Sequence, residues 1–432
     1  MGVKLSYKQT EVGIIPEDWN VVLFRDVTHL ITCGLAATPT YVSESVGKPF
    51  LSAQNVRSGR VVFDNHKFIS HELFEKITRH NKPRRGDLLY TRVGAGIGEA
   101  GIIECDIEFG IYVSLTLIKT DSQKLHNGFA THLLNSPCYR ALAKGGQFAG
   151  AGVQNLNVEV VRNFPLPLPS LPEQRSIATA LSDMDELLGA LDRLIAKKRD
   201  LKQAAMQQLL TGKTRLLGFG EGTGYQKTEV GEIPEDWDVK PLKEISPQQS
   251  VGLVINPSTY FDKEGTVPML VGSNISENKI DWASAKKITE DSNQKLPASR
   301  LSAGDLVMVR VGDPGTTAVI PPEFDGCNCA SMMIVRKHPS FDSEWLCFVM
   351  NSLLGRSQVA GVQYGTAQKQ FNISDAVDFR YPVPSLSEQR SIATVLSDMD
   401  AEITALEQRR DKTRALKQAM MQELLTGRIR LV

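Results

Sequence analysis

A stretch beginning at Tyr7, YKQTEVGIIPEDWNV, returns at Tyr225 as YQKTEVGEIPEDWDV, and LPEQRSIATALSDMD from Leu171 returns at Leu386 as LSEQRSIATVLSDMD. The first pair of matches is offset by 218 residues and the second by 215, so a chain of 432 residues is one unit written twice. A solenoid repeats every 20–50 residues or so, and a period this long instead indicates two homologous domains. Between the shared blocks the copies diverge, yet landmarks survive. Gly86-Asp87-Leu88 through Arg92-Val93-Gly94 answers Gly304-Asp305-Leu306 through Arg310-Val311-Gly312, and Leu156-Asn157 answers Phe371-Asn372. Similar backbones with different surfaces are expected.

The repeated block after each domain reads as one long helix. Ser170 to Glu173 and Ser385 to Glu388 both fit a capping box, and Pro172 is tolerated in a first turn, where its missing N–H would be unpaired anyway. Apolar residues then recur at alternating spacings of four and three: Ile177, Leu181, Met184, Leu188, Leu191 and Ile195 in one copy, Ile392, Leu396, Met399, Ile403 and Leu406 in the other. Gly212 and Gly427 stand where a terminating glycine belongs. Each helix would be roughly 60 Å long at 1.5 Å per residue. Its apolar seam can pack on its own globular domain or pair with the other helix as a coiled coil. Chain geometry selects an antiparallel pair, because a parallel one would force the ends of the second domain about 60 Å apart. The Pro-Glu-Asp-Trp segment would then lie beside the far end of a helix in both copies, closing the chain with approximate two-fold symmetry.

Inside the domains, β-rich runs such as Asp87–Thr91 and Tyr112–Ile118 alternate with helical stretches such as Phe129–Lys144. No repeated βαβ spacing is visible, so the fold class is α+β, with two mixed α/β domains separated by the helices. The segments are 1–170 and 217–385 for the domains, and 171–216 and 386–432 for the helices.

No enzyme motif survives inspection. Gly96-Ile97-Gly98-Glu99-Ala100-Gly101 matches G-x-G-x-x-G, but the second copy has lost it and no ribose-binding acid follows. Gly212-Lys213-Thr214 ends like a phosphate loop but has Gln207 where the first glycine should be, and helix termination accounts for it better. Asn256-Pro257-Ser258-Thr259-Tyr260 only faintly matches the Asn-Pro-Pro-Tyr of amino-methyltransferases, and Glu277-Asn278-Lys279 is a triplet that chance supplies. Neither recurs in the other copy. Six cysteines form no disulfide framework, and Cys327-Asn328-Cys329 lacks the companions of a zinc site. Neither a long apolar run nor the apolar core of a signal peptide is present, so a cytoplasmic chain without membrane contact is expected.

Two diverged domains, each followed by a near-identical helix carrying EQRSIA near its start and LLTG at its end, resemble the specificity subunit of a type I restriction-modification system. The likeness spans the chain and includes Pro16–Trp19 and Pro234–Trp237 and the prolines before each helix (Pro165, Pro167, Pro169; Pro382, Pro384). The resemblance implies that each domain is a target-recognition domain reading one half of a split site on double-stranded DNA. It implies that the paired helices set the spacer and dock two modification subunits. Those partners would bring S-adenosylmethionine-dependent adenine methylation, and restriction subunits would add ATP-dependent cleavage. On that reading the chain is no enzyme and binds no cofactor or metal. The alternatives are a two-domain scaffold that never touches DNA, or a free-standing nuclease or methyltransferase.

With that resemblance in hand, Gln54, Asn55, Arg57 and Arg60, and in the second copy Ser273, Asn274 and Lys279, are candidates for base contact, since Gln, Asn and Arg can bond base edges bidentately. Lys82, Arg84, Arg85, Arg92 and Arg310 could hold phosphates. The loops Gln147–Gln154 and Gln363–Gln370, with Gln154, Gln363 and Lys369, are a third group. Glu173, Gln174 and Arg175, with Glu388, Gln389 and Arg390, are candidates for partner contact, unless they only stabilise the helix pair.

Charge sharpens the picture. The 49 basic and 49 acidic side chains balance, which argues against a surface driven onto DNA by counterion release alone. The balance is uneven: residues 1–170 carry 18 Lys+Arg against 15 Asp+Glu, whereas 217–385 carry 15 against 21.

Overall fold

The computed structural model describes residues 6–150, 153–365 and 369–431. The chain forms two compact units, Met1–Asp192 with Gln408–Val432 and Arg193–Glu407. Each therefore holds one globular domain, the start of one long helix and the end of the other. The helices run Leu171–Leu209 and Leu386–Leu424.

In the first unit the main sheet has the order Thr28–Cys33, Leu115–Thr120, Leu88–Thr91, Ala100–Ile102, Arg60–Val61, Val56–Arg57. Its pairs are antiparallel except where Ile102 meets Arg60. A side sheet of Gly110–Ile111, Gly47–Leu51 and Lys67–Ser70 flanks it. The expected helix over 129–144 is two helices, Asn127–Leu134 and Pro137–Gly145. Ser136 caps the second by accepting the Tyr139 N–H, and Pro137 occupies its first turn, where proline starts a helix and cannot continue one.

The second unit repeats the plan with Gln249–Val251, Met332–Val335, Leu306–Val309 and Thr317–Val319, and with a side sheet of Lys286–Ile288, Val267–Leu270 and Asn328–Cys329. In both units the proline run before the long helix is a strand. Pro165–Leu168 pairs with Asn20–Leu23 and Arg380–Val383 with Asp238–Pro241, edge positions where a missing N–H costs little.

Both destinations considered for the helical seam are used. In the first unit Ile177, Ala178 and Leu181 enter the domain core with Trp19, Phe129 and Leu133, and the same core takes Met421, Leu424 and Leu425 from the end of the second long helix. In the second unit Ile392, Ala393 and Leu396 join Trp237, Trp345 and Phe348, with Met206, Leu209 and Leu210 from the end of the first long helix. Within each unit the two segments run antiparallel, and ion pairs mark the register. Lys417 meets Asp185 at 2.5 Å and Arg410 meets Asp192 at 3.7 Å in one. Lys202 meets Asp400 and Lys198 meets Glu402, both at 2.6 Å, in the other.

Candidate nucleic-acid interface

The start of each long helix is tied to the lead-in segment by a node of four residues. Ser170 and Ser385 cap as expected, accepting the N–H of Glu173 (3.4 Å) and Glu388 (3.3 Å). The glutamates do not complete a capping box, because stronger donors claim them. Glu173, 1% exposed, accepts the indole N–H of Trp19 (3.1 Å) and two donors of Arg430, which also grips Asp18 through two bonds of 2.9 Å. Glu388 is likewise 1% exposed and accepts from Trp237 (3.1 Å) and Arg215 (2.5 and 2.7 Å), with Arg215 gripping Asp236. Hydrogen bonds to Glu173 and Asp18 hold Arg430 protonated even more firmly than usual, and Arg430 in turn holds the Asp18 carboxyl below its ordinary range.

Gln174 and Gln389 are also buried. Gln174 accepts the His126 N–H (2.8 Å) and donates to the Lys124 and Pro169 carbonyls (both 3.0 Å). Gln389 accepts the Asp342 N–H and donates to Pro384, both at 2.9 Å. Four of the six residues expected to face a partner are therefore committed inside their unit, because the most repeated side chains are those that lock helix to domain. Only Arg175 and Arg390 are exposed.

The expected DNA-contacting residues divide by position. One group gathers at the end of the main sheet where the strands Leu88–Thr91 and Leu306–Val309 finish. In the first unit the Ala53 N–H donates to Ser114 Oγ and the Arg92 N–H to the Ser114 carbonyl, both at 3.0 Å, and the Leu156 N–H donates to the Arg92 carbonyl (2.9 Å). Gln54, Arg92 and the strand Val153–Leu156 thus meet at one place. In the second unit Val311 bridges to Gln370, and the Gly312 N–H donates to the Lys369 carbonyl (3.1 Å). The turn carrying Ser273 packs there too, since a Cβ on Gly272 would lie 3.2 Å from Val309 and 3.4 Å from the Val311 carbonyl.

Within this group the side chains differ in what they can still offer. Gln54 and Ser273 are exposed, although Gln54 already donates to the Asn65 carbonyl (2.7 Å). Asn55 and Asn274 are corrected from reading to building. Asn55, 0% exposed, accepts the Ser52 N–H and donates to the Val62 and Asp64 carbonyls, while Asn274 accepts the Val271 N–H and donates to Ser284. Each locks a turn whose backbone would otherwise be unpaired. Arg92 is buried and donates to the Leu156 carbonyl (2.8 Å) and the Val113 carbonyl (3.3 Å), so it organises the sheet end and is not open to a phosphate. Lys369 is exposed, and Gln363 and Arg310 are half-buried. The side chain of Gln154 and positions 151–152 and 366–368 lie outside the described residues.

The second group is elsewhere. Arg84 and Arg85 precede the strand Leu88–Thr91, at its opposite end, and Arg85 faces Asp106 at 3.4 Å. Lys82 pairs with Glu108. Lys82 and Lys48 together pull the Glu108 carboxyl down to about 2. Arg60 sits beside Ile102 near Glu104, and Arg57 folds back onto the Gln54 carbonyl (2.7 Å). Lys279 donates to Thr404 on the second long helix (3.1 Å) and lies 3.9 Å from Glu407, so it fastens its hairpin to the helix.

The glycine motif is a tight β-turn-β connection between Leu88–Thr91 and Ala100–Ile102 with no helix after it, so it offers no helix N-terminus for a dinucleotide. Gly101 is required by close approach, because a Cβ there would stand 2.7 Å from Arg60 backbone atoms. Cys327 and Cys329 are buried, burial raising the Cys327 thiol to about 12, and among the described residues no cluster of His, Cys, Asp and Glu could hold a metal. No helix among the described residues is long and apolar enough to cross a membrane.

Sequence reasoning missed Asp18, Asp236, Arg215 and Arg430. The signal for the arginines was a TRLL and an RIRL following the two LLTG blocks, and the aspartates lie in the repeated Pro-Glu-Asp-Trp.

Comparison with known proteins agrees with this architecture. The MjaVIII type I restriction enzyme specificity subunit of Methanocaldococcus jannaschii is 27% identical over 99% of this chain and 96% of its own length. The EcoBI specificity subunit of Escherichia coli is 23% identical over 72% of this chain and 67% of its own. The crystal structure of a type I restriction-modification S subunit from M. genitalium matches with a TM-score of 0.59 at 14% identity, covering 94% of this chain and 96% of that one. A chain from a structural study of complex assembly and conformational transition in a type I system matches with a TM-score of 0.57 at 17% identity, covering 96% and 99%. The model for the type I restriction modification DNA specificity domain matches twice, over residues 16–197 and 234–414, and the chain belongs to that family.

Proposed function

We propose that the chain is the non-catalytic specificity subunit of a type I restriction-modification complex, each domain reading one half of a bipartite DNA site. The observation that carries this reading is the paired family match together with a shared scaffold whose sheet ends carry different side chains. The exposed polar residues gathered there, Gln54 in one unit and Ser273 and Lys369 in the other, are the proposed DNA-facing set. The antiparallel segments in each unit support a helix pair that sets the spacing of the half-sites, one to two DNA turns of about 34–36 Å. Arg175 and Arg390, alike in both copies, are proposed contacts for two modification subunits. S-adenosylmethionine belongs to those partners, restriction subunits join in the larger complex, and the complex works in the cytoplasm. The acidic balance of residues 217–385 suits a subunit that supplies base choice while its partners supply much of the phosphate grip.

The test is methyl transfer by the chain mixed with its modification partner, with the methylated motif read by sequencing. Exchanging residues 20–165 for those of a relative should change one half-site and spare the other. An unchanged motif would reject DNA reading, and methyl transfer by the isolated chain would reject a non-catalytic role. Inserting one helical turn after Leu191 and one after Leu406 should lengthen the spacer with both half-sites intact.

A further inference from the structure

Arg92 and Arg310 hold the same place in the repeat, each one residue past a central strand of its main sheet. Arg92 spends its donors on the Leu156 and Val113 carbonyls. Arg310 is half-buried, its Nε is shut off from solvent, and among the described residues its guanidinium makes no hydrogen bond and no ion pair. A guanidinium presents five donors and stays charged, so leaving one half-buried and unpaired is costly unless an acceptor arrives. The obvious internal acceptor is already taken. Asp313, three residues on, accepts from Arg356 (2.7 Å) and Thr316 (2.5 Å), and Arg356 is pinned further by the Pro314 carbonyl. Among the described residues the acidic domain thus keeps Arg310 without a carboxylate, at the end of the sheet where Ser273 and Lys369 also lie.

Resting on the DNA-reading role proposed above, we infer that Arg310 reads a guanine in the half-site of the second unit, donating to its O6 and N7, and that Arg92 has no such role in the first. With Nε enclosed and the residue half-buried, what the guanidinium can still offer is its planar fork of terminal N–H donors, which suits the planar acceptor pair of a guanine edge. The exposed Lys369 beside it suits a phosphate, which asks for charge more than direction. Arg300 provides an internal control. Its Nε is also buried and unpaired, but it precedes the strand Leu306–Val309 whereas Arg310 follows it.

The experiment uses the full chain in complex with its modification subunits, mapping methylated motifs in a host without other methylation. Arg310→Gln should relax one guanine position of one half-site, lowering discrimination there about tenfold or more, with the other half-site unchanged. Arg310→Lys keeps the charge and most of the stem but loses the fork, and should relax the same position even if Gln disturbs the fold. Arg300→Gln should leave the motif intact. An unchanged motif with uniformly slower methylation and a shallower salt dependence would make Arg310 a phosphate anchor and overturn the inference. No change in motif or rate would overturn it as well. Exchanging residues 217–385 for those of a relative separates the two levels. A motif that this exchange alters but Arg310→Gln does not rejects the inference only, whereas a motif that neither alters rejects DNA reading by this unit.

Discussion

The two units share one node and one sheet plan, and differ in many of the side chains set on them. In the second unit the arginine–aspartate contact of the node is local, Arg215 reaching Asp236 only 21 residues on. In the first the same arginine comes from Arg430, 412 positions from Asp18. The same arginine–aspartate pair is thus made once across a short loop and once by the two far parts of the chain, while the glutamate is remote in sequence in both units. The shared residues serve geometry. Each fixes a helix start against a domain, whatever the route of the chain. Away from the node, the unit that buries His132 beside Asp185 and Lys417 has for its counterpart one that puts Phe348 beside Asp400 and Lys202.

The largest effect expected is at the node itself. Glu173→Ala takes the acceptor of the Trp19 indole and the buried one of the two carboxylates on Arg430, and should cost the first unit up to about 3–5 kcal/mol, the usual penalty for breaking a buried pair. Glu388→Ala should do the same to the second unit, and hydrogen exchange resolved by segment would assign each loss. Removing residues 428–432 sharpens the contrast, since it takes Arg430 from the first unit and should leave exchange in the second unchanged. Equal loosening of both would refute independent nodes.

Next in size are the two terminating glycines. Gly427 and Gly212 have φ of +71° and +69°, and a Cβ on either would stand 2.5 Å from the ring of Pro16 or Pro234. Either glycine changed to alanine should cost roughly 2–3 kcal/mol from strain and overpacking combined, again confined to its own unit.

A pH difference between the units follows. Burial, reinforced by Lys417 and opposed by Asp185, lowers the His132 imidazole to about 4. Below its ordinary value near 6.5 the unfolded chain takes up a proton that the folded unit refuses, so stability is flat above that pH and falls as the pH drops toward 4. The first unit should lose about 2 kcal/mol at pH 5 relative to pH 7.5 by this linkage. His132→Phe, copying the second unit, should remove most of that dependence in denaturant titrations at the two pH values, leaving the smaller part due to His126, which burial also holds below its ordinary value. An undiminished slope after the change would locate the titration elsewhere.

The smallest effect expected is at Lys279, whose contacts with Thr404 and Glu407 are half-exposed. Lys279→Ala should destabilise by less than about 1 kcal/mol and leave the methylated motif unaltered, because the side chain serves its hairpin. A changed half-site would return it to the DNA-facing set.

Much of the architecture was legible in the sequence because it is periodic or duplicated. The seam from Ile177 to Ile195, the serine caps and the glycine stops follow from local rules, and the repeat set two domains of one kind. The side-chain roles were less legible. Glu173 and Gln174 look like surface residues of a helix start, and only the approach of Trp19, Arg430 and His126 from remote parts of the chain buries them. Asn55 has the chemistry of a base reader, but its amide is consumed by a turn formed by residues 52–64. Arg92 and Arg310 are the same residue at the same point of the repeat, and the sequence by itself could not separate them. Backbone plan, helix direction and family resemblance were determined by residue order, since they rest on period, spacing and duplication. Which polar groups remain free was decided only by the tertiary structure, because a donor is available or spent according to what folds against it from far along the chain.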